Sequence, residues 1–147
     1  MMEIPGTVLE SMMQLTVKVG DVFLLELDAG DGVTPKPGDA TRFKFFVVLG
    51  FDGEGNVYGG VIINSRINQS MDQTVKDYHM PIKCERYPFL RYDSFVDCLR
   101  LKTAALEKFT KGKSVGKMTS EDLDLIIGAL KESPREKRIK LLKFGIL

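Results

Sequence analysis

Phe43-Lys44-Phe45-Phe46-Val47-Val48-Leu49, then Phe51-Asp52-Gly53-Glu54-Gly55-Asn56, then Val57-Tyr58-Gly59-Gly60-Val61-Ile62-Ile63, is the stretch whose reading decides the fold. Aromatic and β-branched residues crowd both flanks and turn formers fill the middle, so the segment reads as two strands joined in a hairpin. Working outward toward the N-terminus, Val22–Leu27 is another β-rich run, opened by Gly20-Asp21. Residues 28–42, DAGDGVTPKPGDATR, separate it from the hairpin, and Gly30, Gly32, Pro35, Pro37 and Gly38 make this a loop. Toward the C-terminus, Asn64–Tyr78 is polar and irregular. Met80–Cys84 reads as a short strand and Phe95–Leu101 as a further one, with Asp97 and Arg100 at polar positions.

The hydrophobic period changes at MTSEDLDLIIGALKESP, residues 118–134. Thr119 or Ser120 is placed to cap a helix, Glu121, Asp122 and Asp124 load its positive end, and Leu123, Ile126, Ile127 and Leu130 recur on one face until Ser133-Pro134 ends it. The closing REKRIKLLKFGIL reads as one further helix, with Ile139 and Leu142 on one face and basic residues opposite. Short strands followed by helices, with no internal repeat, predict a mainly β, α+β architecture: a small barrel with helices attached.

A chain of 147 residues and 16.5 kDa buries about 70% of its unfolded surface on folding and needs no staple. With 44% hydrophobic and 28% charged residues, it is neither a disordered chain nor a disulfide scaffold. Lys plus Arg number 21 against 20 Asp plus Glu, net +1, so any polyanion contact must come from a local patch. The charge is uneven: residues 1–100 carry −4 and residues 101–147 carry +5. Cys84 and Cys98 belong to no CxxC motif and read as reduced core residues.

One histidine, His79, leaves no imidazole-based metal site, and no nucleophile elbow accompanies it; it reads as a loop or strand-end residue. GDG at 30–32 and GEG at 53–55 lack the pattern of phosphate-binding loops, and Asp28, Asp31 and Asp39 lack calcium-loop spacing. No metal and no cofactor are expected. No apolar run is long enough to span a bilayer, and the opening residues, carrying Glu3 and Glu10 with no basic region, do not read as a signal peptide. The expectation is a cytoplasmic chain without a membrane partner.

The residues with most chemical reach are Arg42 and Lys44, at the entry to the central strand, where a guanidinium can grip a phosphate with two parallel hydrogen bonds. Three segments, in order, resemble the PemK/MazF-like family of toxin–antitoxin ribonucleases. Gly20-Asp21-Val22 through Leu27-Asp28 and the Gly-containing loop resemble the family opening. Val47-Val48-Leu49 resembles its central strand, and FLRYDSFVDCLRLKTAALEKF (89–109) followed by GKMTSEDLDLIIGAL (116–130) resembles its C-terminal block. The resemblance spans about residues 18–131.

It implies one SH3-like barrel domain over residues 1–147, with an N-terminal extension and a basic C-terminal tail, forming a homodimer. It further implies an endoribonuclease that cuts single-stranded RNA without metal, by attack of the RNA 2′-hydroxyl, held silent by an antitoxin protein. Carried across, the family's Arg falls nearest Arg42; aligning on Val47-Val48-Leu49 instead places Lys44 there, with no Pro before the strand. The family's small hydroxyl falls near Asn64-Ser65, with Arg66 beside it. Its acidic-polar pair falls on Asp97-Cys98, with Arg100 at the following basic position. Arg42, Ser65 and Asp97 are thus the candidate catalytic residues, and Lys44, Asn64, Arg66 and Arg100 the candidate substrate-binding ones. A catalytically inactive barrel acting as a protein- or nucleic-acid-binding module is the alternative.

Overall fold

The computed structural model describes residues 16–147 together with Val8 and Met12; the rest of the expected N-terminal extension lies outside the described residues. Seven strands pair throughout in antiparallel fashion: β1 (Asp21–Leu27), β2 (Arg42–Phe51), β3 (Val57–Asn64), β4 (His79–Ile82), β5 (Ser94–Asp97), β6 (Lys102–Ala105) and β7 (Lys113–Lys117). The helices are α1 (Gln73–Asp77), α2 (Leu106–Lys111), α3 (Ser120–Glu132) and α4 (Arg138–Lys143). The expected hairpin is β2–β3, with Phe46 opposite Ile62 and Val47 opposite Val61. Strand order is β4-β5-β3-β2-β1-β7, with β6 also on β3.

The sheet is open, which corrects the expectation of a closed barrel: no pairing among the described residues joins β4 to β7. Both end strands suit an edge. Pro81 in β4 has no N–H to donate, and Lys113 and Lys117 place charge at the two ends of β7.

Strand alternation gives the sheet two buried faces. Phe23, Leu25, Leu27, Phe46, Val48 and Ile62 pack on one side with Leu106 and Phe109 of α2. Phe109 meets Phe23 edge-on at 5.0 Å and Phe46 at 5.8 Å. Val22, Val47, Leu49, Val61 and Ile63 pack on the other side against Ile126 and Leu130 of α3 and Leu141 of α4. α3 begins where its sequence predicts: the Thr119 side chain accepts from the Asp122 N–H.

Three readings change. The run 95–101 is not one strand. Val96 pairs with Ile63 and Lys102 with Gly60, so six steps of chain cover three steps of β3, and the excess loops out at Cys98–Leu101. The loop-out is tied down by Cys98 N–H to the Tyr78 carbonyl and Leu101 N–H to Glu136. In the last helix, Ile139 and Leu142 face solvent at 75% and 56% exposure. The face that packs carries Leu141, followed by buried Phe144 and Ile146. The basic tail is therefore docked, not free. A Cβ at Gly59 would lie 3.0 Å from the Phe144 ring and one at Gly50 2.1 Å from its carbonyl oxygen, so two glycines make the slot that receives it. Third, the polar stretch after Asn64 contains α1, capped by Asp72.

Candidate functional site

The site grows from the uneven ends of β2 and β3. Their first paired residues are Phe45 and Ile63, so Arg42 and Phe43 extend past the end of β3 and pair only with Leu27 and Glu26 of β1. One step inside, Lys44 lies opposite Asn64, and its Nζ donates to Asn64 Oδ1 at 2.7 Å. Lys44 shares the face of Phe46, so its alkyl stem borders an apolar core. Burial first, then the like charge of Arg42 and, less, of Lys36, pushes its amine down from the usual 10.5 to about 8; the carboxylate of Asp97 acts the other way.

Asn64 is itself held. Its Nδ2 lies 3.3 Å from His79 Nε2, and His79 Nδ1 lies 2.7 Å from the Val75 carbonyl oxygen. A carbonyl only accepts, so the hydrogen-bond pattern assigns the proton to Nδ1 and leaves Nε2 to accept from the Asn64 amide. The chain Val75–His79–Asn64 thereby aims the Asn64 oxygen at Lys44. Asp97 Oδ2 stands 4.0 Å from His79 Nε2, while its Oδ1 accepts from the Leu99 N–H at 3.1 Å.

Two clefts meet at this point and share Arg42, Lys44 and Ser65. One, of about 320 Å³, is further lined by Phe43, Phe45, Phe89, Arg91 and Tyr92 among others. The other, of about 740 Å³, adds Lys36, Asn64, Arg66, Asn68 and Met71. Among the described residues no carboxylate lines either cleft. The acidic excess of the first hundred residues therefore lies elsewhere, and the surface here is locally positive. Loop acids are used structurally: Asp28 and Asp31 cap the 3₁₀ turn at 29–31 and both engage Lys108, at 3.4 and 3.1 Å.

Of the residues singled out from the sequence, Arg42, Lys44, Asn64, Ser65 and Arg66 come together on one cleft. Asp97 sits behind it, half-buried, and lines neither cleft. Arg100 lies apart, in a third cleft of about 530 Å³ beside Lys102, Lys137 and Lys140. Lys36, His79 and Arg91 were not legible as site residues. His79 carried a signal in being the sole histidine ahead of a strand, whereas the other two gave none.

Chemically, the cleft offers a planar cation for phosphoryl oxygens, an amine able to lose its proton near neutral pH, and a hydroxyl. Among the described residues no cluster of three or more His, Cys, Asp or Glu is placed to hold a metal ion. No described helix is long and apolar enough to cross a membrane. Cys84 and Cys98 are both free, and burial pushes the Cys98 thiol up to about 12.

No protein-family model matches the sequence, and no curated protein sequence matches it. Among solved structures, the fold is similar to that of MazE-MazF (Form-III) from Deinococcus radiodurans, with a TM-score of 0.52 and 11% identity over 78% of this chain and 92% of that one. At that identity the likeness is one of fold: the chain has a MazF-like α+β fold built on an open antiparallel sheet.

Proposed function

We propose that this chain is a toxin-type endoribonuclease that cuts single-stranded RNA without metal, as the toxin of a toxin–antitoxin pair. The observation that carries the reading is the pairing, in one acid-free cleft, of the Arg42 guanidinium with a lysine amine brought down to about 8. In this reading Arg42 holds the scissile phosphate and stabilises the charge that builds on its non-bridging oxygens. Neutral Lys44 takes the proton of the RNA 2′-hydroxyl, and the 2′-oxygen attacks the adjacent phosphorus. The bond to the 5′-oxygen breaks, that oxygen takes a proton from solvent, and the products are a 2′,3′-cyclic phosphate and a 5′-hydroxyl. Ser65 hydrogen-bonds the phosphate, and Arg66 and Lys36 hold the flanking backbone. Asp97 and His79 act through Lys44 and Asn64, as positioning residues.

The MazF-like fold supports the toxin assignment, a homodimer, and an antitoxin whose acidic, disordered segment occupies the same positive cleft. The second reading, an inactive binding module, draws on the Phe43 that stands between Arg42 and Lys44 in place of a proline. Expression in bacteria separates the two. The nuclease reading expects growth arrest by the wild type and relief by Arg42→Ala; harmless wild type gives the binding module precedence.

A further inference from the structure

The smaller cleft holds two features that phosphate chemistry leaves unused. Phe43 is 65% exposed and Tyr92 62% exposed, and neither ring belongs to any of the aromatic pairs formed among the described residues. Both line the same cleft, whose inner wall is the Phe45–Phe89 edge-on pair at 5.1 Å. Side chains of neighbouring strand residues point to opposite faces. Phe43 and Arg42 nevertheless reach one cleft, because β2 runs beyond β3 here and the cleft wraps around its free edge. Among the described residues, β2 has no ladder partner on its β3 side before Phe45. Three cations, Arg42, Lys44 and Arg91, line this cleft with the rings, and none of its described lining residues is an acid; Glu26 and Glu107 line the neighbouring cleft that Phe43 also borders.

We infer that this cleft seats one nucleobase beside the bound phosphate, stacked on Phe43 and Tyr92. The inference deepens the proposed function and rests on it. A flat aromatic ligand attached to an anion matches two unpartnered rings beside three cations. An acidic peptide would meet the cations but has no general need of the rings. A cleft of about 320 Å³ is at the lower end of small-ligand sites, the scale of a single base rather than a run of them. The base taken here sets the sequence preference around the cut, through contacts to this edge of β2.

The test measures fluorescence anisotropy of the full chain with two labelled single strands of equal length, in chelator. One is a mixed-sequence RNA with 2′-O-methyl riboses, which cannot be cut; the other is built from abasic tetrahydrofuran phosphates. The expected result is about tenfold or more tighter binding of the base-bearing strand, the scale of one stacked base. Phe43→Leu and Tyr92→Leu each lose about that factor on the base-bearing strand and nothing on the abasic one, and Tyr92→Phe behaves as wild type. Both rings are exposed, so the substitutions spare the cores, and unchanged thermal melting checks this. Unchanged RNA affinity in both leucine variants overturns the base seat while the RNA reading stands, leaving the rings to a protein partner. A wild type that binds neither strand refutes the RNA reading itself.

Discussion

Replacing Lys44 with arginine keeps a positive charge at the mouth of β2 but removes the cleft's proton acceptor, because guanidinium does not deprotonate in proteins. With the amine at about 8, its neutral fraction is about one-tenth at pH 7, one-half at pH 8 and nine-tenths at pH 9. A base works in its neutral form, so kcat/KM rises about tenfold from pH 7 to pH 9 and levels off above. A lysine at the usual 10.5 would instead give about a hundredfold rise over that interval with no bend. The assay is cleavage of a short fluorescent RNA at a series of pH values, corrected for alkaline hydrolysis without enzyme. Lys44→Arg should lose about 10²- to 10⁴-fold in rate, the usual worth of a positioned general base, and show no bend near 8. Arg42→Gln removes a like charge, so the bend moves up in pH. It stays below the usual lysine value, because burial is the larger cause. A wild-type profile without the bend, or Lys44→Arg as active as wild type, refutes the base assignment and returns Lys44 to the role of phosphate clamp.

The same amine makes stability depend on pH. In the unfolded chain it titrates near 10.5 and in the folded chain near 8, so between those values the unfolded state binds the extra proton and wild-type stability rises with pH. Lys44→Met lacks this rise; urea midpoints from pH 7 to 10.5 should show wild type gaining on the variant, and parallel curves would contradict it. Phe144→Ala should cost about 3–5 kcal/mol in urea unfolding, because the ring fills the slot over Gly59 in the core. A loss under about 1 kcal/mol would mean that the C-terminal segment is not docked as described. Gly60→Ala puts a methyl 2.0 Å from the Val47 carbonyl oxygen and 2.6 Å from the Phe46 ring, and should lower stability by about 2–3 kcal/mol; a neutral result would show that β2 and β3 can separate at no cost.

The central hairpin is legible because two aromatic and β-branched runs flank a cluster of turn formers, and α3 because its apolar residues keep one helical period over several turns. β6 and β7 are not, since KTAA and KSVGK are short and weakly β-forming; they are strands because β3 and β1 offer them edges. The last helix is legible in the sequence, but which of its faces packs is not. Ile139 and Leu142 share a face by spacing, yet the slot made by Gly50 and Gly59 selects Leu141 and Phe144. Sheet closure was beyond reach because it depends on whether two edge strands meet, which no local pattern encodes.

In the site, Arg42 and Lys44 stood out by residue type at a strand entry. The pairing of Lys44 with Asn64 follows from β2–β3 register, and the support of Asn64 by His79 follows from where β4 lands beside β5. Both are long-range facts. Asp97 and Arg100 were adjacent in a reading that made 95–101 one strand; the loop-out at Cys98–Leu101 sends Arg100 to another cleft.

Purified protein incubated with a mixed-sequence single-stranded RNA in excess chelator, followed by analysis of the new termini, bears most directly on the nuclease assignment. Wild type should yield fragments ending in 2′,3′-cyclic phosphate and beginning with a 5′-hydroxyl, reduced about 10²- to 10³-fold by Arg42→Ala. RNA left intact at high protein concentration, or cut equally well by the alanine variant, would contradict that assignment.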